Sequence, residues 1–267
     1  MLNLIYYDLK ATIKKLWFYI ILICVFAFIV RFLLSDAFMS TFNNSDFYIG
    51  TIITIVGIGF LCALGTLAIV VTIIVQTHWF DENLLSPQGQ LTNMLPVSSL
   101  QIVLSKIICA LFWSLLIMVL AIGIVSVVLV QTEYYEILVK NVLEVSINNN
   151  INIGIPGLFV SLGLCIATAI TAIVSLCFLS QMIGQIFNSF RNLFVFISFL
   201  ILLLITGYFQ LSLANFMGIT SIINTDLNGI ISFIIASSLK YIIINAITIT
   251  LYWLITSYIL RRHLNLL

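Results

Sequence analysis

About six apolar runs, each near the roughly 20 residues needed to cross a bilayer, dominate this chain. One of them, Ile102 to Val130, carries no charged side chain except Lys106. Runs of that kind cannot cover the surface of a soluble domain. In lipid the backbone must satisfy its own N–H and C=O groups, and a continuous apolar run does so as a helix. Composition agrees: 63% of the 267 residues are hydrophobic and 7% are charged, against roughly 25% charged in soluble proteins. Six spans use most of the chain and leave no room for a soluble catalytic domain of even about 100 residues. The expected fold is an all-α integral membrane protein, a single transmembrane domain over residues 1–267.

The runs place the spans at about 16–34, 48–75, 102–130, 157–180, 193–211 and 241–260. Before the first, Leu2, Ile5, Leu9, Ile13 and Leu16 recur at helical spacing among Asp8, Lys10, Lys14 and Lys15. This predicts an amphipathic helix over residues 1–15 lying in the membrane interface, with a plain extension of the first span as the alternative. Lys10, Lys14 and Lys15 imitate the basic start of a signal peptide. The apolar run behind them is too long for one, so a retained span is expected. Residues 131–152 form a polar loop in which Glu136, Lys140 and Glu144 are spaced for helical ion pairs. The last third is harder to divide. Gly229 to Leu260 would span about 48 Å as one helix, more than a hydrocarbon core of about 30 Å. Lys240 sits within it. A re-entrant hairpin over 213–238 before a short last span resolves the excess, and one long tilted helix is the rival.

Lys and Arg set the orientation. With the N-terminus inside, the inner segments hold Lys10, Lys14, Lys15, Lys106, Arg191, Arg261 and Arg262, and the outer ones Arg31, Lys140 and Lys240. Both termini are therefore expected in the cytoplasm. The net charge of +1 offers no basic stripe for nucleic acid.

Catalytic chemistry is poorly supplied. His78 and His263 are the only histidines, and His78-Trp79-Phe80-Asp81-Glu82 lacks the second His of a zinc helix. Cys24, Cys62, Cys109, Cys165 and Cys177 lie inside apolar runs with no Cys-x-x-Cys spacing, so neither a disulfide framework nor a metal site is expected. No phosphate-cradling Gly-x-x-x-x-Gly-Lys loop occurs, and any use of ATP must fall to another chain. Arg31, Lys106 and Lys240 all map near span ends. An ion-driven carrier, which keeps an ionisable group in mid-membrane, is therefore not expected. Two rows of small residues suit close helix approach or a path lining: Gly163, Ala167, Thr171 and Ser175 in the fourth span, and Gly59 and Ala63 in the second.

The longest polar stretch, 76–99, lies on the inner side. Asp81, Glu82 and Asn83 can open a short helix, where acids suit the positive end. Leu84, Leu85, Leu91 and Leu95 give it an apolar side, Gly89 punctuates it and Pro96 ends it. Such a helix, joined rigidly to the second and third spans, is a handle that a separate motor could grip.

The run ENLLSPQGQLTNMLPVSSLQIVLSK resembles the cytoplasmic signature of bacterial type-2 ATP-binding-cassette (ABC) permeases. Their pattern has an acidic residue, a Gly about seven positions on, then Leu-Pro-Val-Ser and a Ser-Lys entering the next helix. Here those are Glu82, Gly89, Leu95, Pro96, Val97, Ser98, Ser105 and Lys106. Gln90 departs from the aromatic residue common there. The family plan has an interfacial N-terminal helix, six spans, both ends inside and an extracellular re-entrant hairpin, so the resemblance covers essentially the whole chain. It implies a permease of a bacterial plasma membrane exporter. Two permease chains, identical or different, would pair above two copies of an ATP-binding subunit that carries ATP and Mg, with no cofactor on this chain. Asp81–Pro96 would then be the coupling helix, and the link around Gly184 and Arg191 a second contact. The charge-free, Phe- and Leu-rich spans suit an amphipathic or hydrophobic cargo, such as a peptide toxin, antimicrobial peptide or lipid. A motor-independent channel or immunity protein is the alternative, and an intramembrane enzyme relying on His78 and His263 a third reading.

Overall fold

The structure is a computed structural model that describes residues 2–33, 47–85, 97–129, 155–187, 190–218 and 227–263. Six long helices account for nearly all of them: α1 (Leu2–Leu33), α2 (Phe47–Phe80), α3 (Ser99–Leu129), α4 (Ile155–Ile186), α5 (Arg191–Phe216) and α6 (Leu227–His263). A π-helical turn, Asp81–Leu85, extends α2. Each helix contains a segment long and apolar enough to cross a membrane. The chain is thus an all-helical, multi-pass membrane protein, with no strand among the described residues. Thr hydroxyls within the spans bond to carbonyls of their own helices. Thr72 donates to the carbonyl of Ala68 at 2.6 Å, Thr171 to Ala167 at 2.8 Å and Thr206 to Leu202 at 2.7 Å. This is how helices carry Ser and Thr where water cannot reach.

α4 is the hub. It packs against α2, α3, α5 and α6, and 56% of its span is buried, against 6% of the α5 span and 12% of the α1 span. Its small-residue row makes this possible. A Cβ on Gly163 would stand 3.2 Å from Ile122 of α3. Ala167, Thr171 and Ser175 are buried, and the Thr171 and Ser114 hydroxyls are 3.1 Å apart. Association of helices in lipid rests on such close packing rather than on a hydrophobic force. The other row differs: Gly59 and Ala63 on α2 are exposed, with no described residue near the position a Gly59 side chain would take.

Four expectations about element limits change. Residues 2–15 run without a break into the first span, so the expected separate interfacial helix is continuous with α1. Gln76–Phe80 belong to α2, and α3 begins at Ser99. Gly184 is not in a link, because α4 runs on to Ile186. Of the re-entrant hairpin expected over 213–238, residues 219–226 lie outside the described residues, while α5 reaches Phe216 and α6 is an unbroken 37-residue helix from Leu227. The long helix tolerates Lys240 because its ammonium donates to the Met217 carbonyl at the end of α5, at 2.8 Å. A lysine read as a helix limit is instead a cap for a neighbouring helix. The polar loop 131–152 and residues 219–226 lie outside the described residues.

Candidate functional site

The starts of α1, α3 and α5 meet the ends of α2, α4 and α6 at one end of the bundle, around Asp81–Leu85. The largest buried cluster lies here. It joins Phe80, Leu84 and Leu85 to Ile102, Val103 and Ile107 of α3, Val174, Phe178 and Met182 of α4, and Leu260 of α6. Phe80 and Phe178 stack with ring centroids 4.2 Å apart. Leu84 and Leu85 therefore anchor the π-helical turn in the core, while Asp81 and Glu82 stay partly exposed. Single π-turns inside helices occur often at functional positions.

Polar contacts tie the same turn to three other helices. Asp81 pairs with Arg191 at the start of α5. Glu82 accepts from Lys15 of α1 at 2.5 Å and lies 3.0 Å from His78 Nε2 one turn back. From α4, the Gln181 amide donates to the Thr77 carbonyl at 3.2 Å and the Gln185 amide to the Leu85 carbonyl at 3.3 Å. These amides occupy carbonyls where α2 passes into the π-turn, a place where a helix runs short of its own donors.

Behind the turn lies a buried ion pair that the sequence analysis missed. Asp8 of α1 pairs with Lys106 of α3, and both are about 95% buried. The Ser105 hydroxyl donates to Asp8 at 3.1 Å and the Trp79 indole at 3.4 Å. Lys15 and Lys106 lie 5.0 and 5.4 Å from the Trp79 ring centroid, so one indole of α2 serves two cations. Further along, the Trp113 indole donates to Thr12 at 2.9 Å, and Thr12 in turn donates to the Asp8 carbonyl. A continuous polar path thus runs from Glu82 through Lys15 and Trp79 to Asp8, Lys106 and Trp113. The one available signal was Asp8 itself, the single acidic residue of α1.

Not every polar atom here is paired. Among the described residues, Gln76 Nε2, Asn83 Nδ2, Gln181 Oε1, Gln185 Oε1 and Arg191 Nε are buried without a hydrogen-bond partner. A sixth such atom, the Tyr252 hydroxyl, lies in α6. Each unmet buried group costs about 1–3 kcal/mol. Five of these six atoms lie around the π-turn.

Of the candidate coupling residues, the structure thus brings together Asp81, Glu82, Asn83, Leu84, Leu85 and Arg191. Gly184 lies beside them at the α4–α5 crossing, where a Cβ would fall 2.2 Å from Val195 Cγ2 and 3.2 Å from the Arg191 carbonyl. Gly89, Leu91, Leu95 and Pro96 lie outside the described residues.

Between α1, α2 and α3 an apolar hollow of about 280 Å³ opens above the polar path, lined by Leu16, Ile20, Ala27, Leu64, Ala68 and Trp113 among others. Among the described residues no three His, Cys, Asp or Glu side chains gather to hold a metal. No protein family, characterised protein or solved structure matches this chain.

Proposed function

We propose that this chain is the membrane-spanning permease subunit of a bacterial type-2 ABC exporter. The observation that carries the reading is the π-turn Asp81–Leu85: it is locked into the core through Leu84 and Leu85, paired to α1 and α5, and set among five unmet polar atoms. A push on such a turn moves four helices together, which is what a handle for an external motor requires. In this reading that end of the bundle faces the cytoplasm, and two ATP-binding subunits, carrying ATP and Mg, dock beneath it. A second permease chain pairs alongside, for which the exposed small residues Gly59 and Ala63 offer close approach. Cargo is an amphipathic or hydrophobic compound, such as a peptide toxin, antimicrobial peptide or lipid. The apolar hollow between α1, α2 and α3 is consistent with that chemistry.

The test uses inverted membrane vesicles from cells that produce this chain at its native level, together with whatever ATP-binding subunit serves it. Asn83→Trp is expected to abolish ATP-dependent transport while the chain still inserts at wild-type levels. ATP-dependent transport equal to wild type in that variant contradicts the coupling role. Flux through liposomes that contain this chain alone, without nucleotide, would favour a motor-independent channel.

A further inference from the structure

A second cavity, of about 290 Å³, lies among α4, α5 and α6. Its walls come from positions within 169–176 of α4, 199–210 of α5 and 245–252 of α6. Each of these stretches falls near the middle of its candidate span, so the cavity sits at mid-membrane depth. Five polar side chains line it: Thr206, Gln210, Asn245, Thr248 and Tyr252. Asn245, Thr248 and Tyr252 are each at least nine-tenths buried. The Gln210 amide donates to Asn245 Oδ1 at 3.3 Å, and the Asn245 amide donates on to Thr168 at 3.2 Å. The Tyr252 hydroxyl is shut from solvent and has no hydrogen-bond partner among the described residues.

Polar side chains at this depth are expensive, and an unmet hydroxyl more so, because lipid offers nothing to bond with. Ordinary packing would fill the space with Leu or Phe. The side chains present instead offer donors and acceptors but no charge. Phe199 and Leu203 supply an apolar wall, and Leu203 and Ile173 are themselves exposed, so the rim opens toward the surface that lipid covers.

We propose that this cavity binds one neutral amphiphile drawn from the bilayer, with a hydroxyl head bonded to Tyr252 and to the Gln210–Asn245 pair and an apolar body along Phe199 and Leu203. The volume is near the lower limit of small-molecule pockets and admits a single such molecule. An anionic head is disfavoured because no cation lines the site to offset its desolvation.

The test needs this chain alone, without nucleotide or any partner, so its outcome is separate from that of the exporter proposal. Purified protein in phosphatidylcholine nanodiscs is irradiated with a monoacylglycerol bearing a diazirine in its chain, and adducts are mapped by mass spectrometry. Adducts are expected on Ala172, Ile173, Leu176, Phe199 and Leu203, displaced by excess 1-monooleoylglycerol but not by oleate. Tyr252→Phe and Gln210→Leu, which keep side-chain size, should each lower labelling about fivefold below saturation. Ala172→Trp, which fills the cavity, should abolish it. Size-exclusion profiles identify any variant that misfolds, and the remaining variants then decide. Adducts spread evenly over outward-facing Leu204 and Tyr208, labelling unchanged in the folded variants, or equal displacement by oleate would each overturn the proposal.

Discussion

Asp8 and Lys106 stand 98 positions apart and were read separately, as part of a surface helix and as a residue near a span end. Their pairing is a property of the fold, invisible to spacing along one helix. Removing one partner leaves a buried charge alone, which typically costs about 3–5 kcal/mol. Lys106→Met is therefore expected to lower the thermal unfolding temperature in detergent sharply, and adding Asp8→Asn should restore most of the loss. Equal destabilisation by the single and double variants would show that the pair is not what holds α1 to α3. Gly184 offers a second single-residue test. Gly184→Ala forces its Cβ against Val195 and should destabilise by about 1–3 kcal/mol. Val195→Ala removes the 2.2 Å clash but not the backbone contacts at 3.2 Å, so rescue measured by the same unfolding assay should be partial.

At the scale of elements, the π-turn and its partners separate an internal role from a docking role. Lys15 and Glu82 are each partly exposed, so their pair contributes at most about 1 kcal/mol to stability. Glu82→Lys should therefore insert and fold while placing a third cation near Trp79. The swap Lys15→Glu with Glu82→Lys rebuilds the internal pair with reversed sign. If an ATPase subunit reads the acidic face of the turn, ATP-driven transport fails in the swap as in the single variant. Full recovery in the swap would assign Glu82 to holding α1 alone. Helix limits were the least legible part of the sequence. A polar side chain inside an apolar run reads as a boundary, yet Gln181, Gln185 and Lys240 each lie inside a helix and donate to a carbonyl of a neighbouring segment. Periodicity records where a run turns polar. It does not record that another helix ends nearby and takes the donor.

At the scale of the whole molecule, the six spans were legible because uninterrupted apolar length is a property of each run alone. The hub position of α4 was half legible. The small-residue row of α4 marked a face built for close approach, but the similar pair Gly59 and Ala63 faces away from the other described residues. The acidic-then-apolar start of the 76–99 stretch was legible as composition, whereas the attachment of Asp81–Leu85 to α1, α4 and α5 required the fold. The central claim is that Asp81–Leu85 passes motion from a separate ATPase into the bundle. Its most direct measurement places a photo-crosslinking amino acid at the exposed His78, one turn before Glu82, in the tagged chain, irradiates intact cells and identifies adducts by mass spectrometry. The account predicts a crosslink to a cytoplasmic subunit whose peptides carry a Walker A motif, lost when Asp81 and Glu82 are both changed to Lys. Crosslinks only to lipid, to this chain or to proteins on the outer side of the membrane would contradict it.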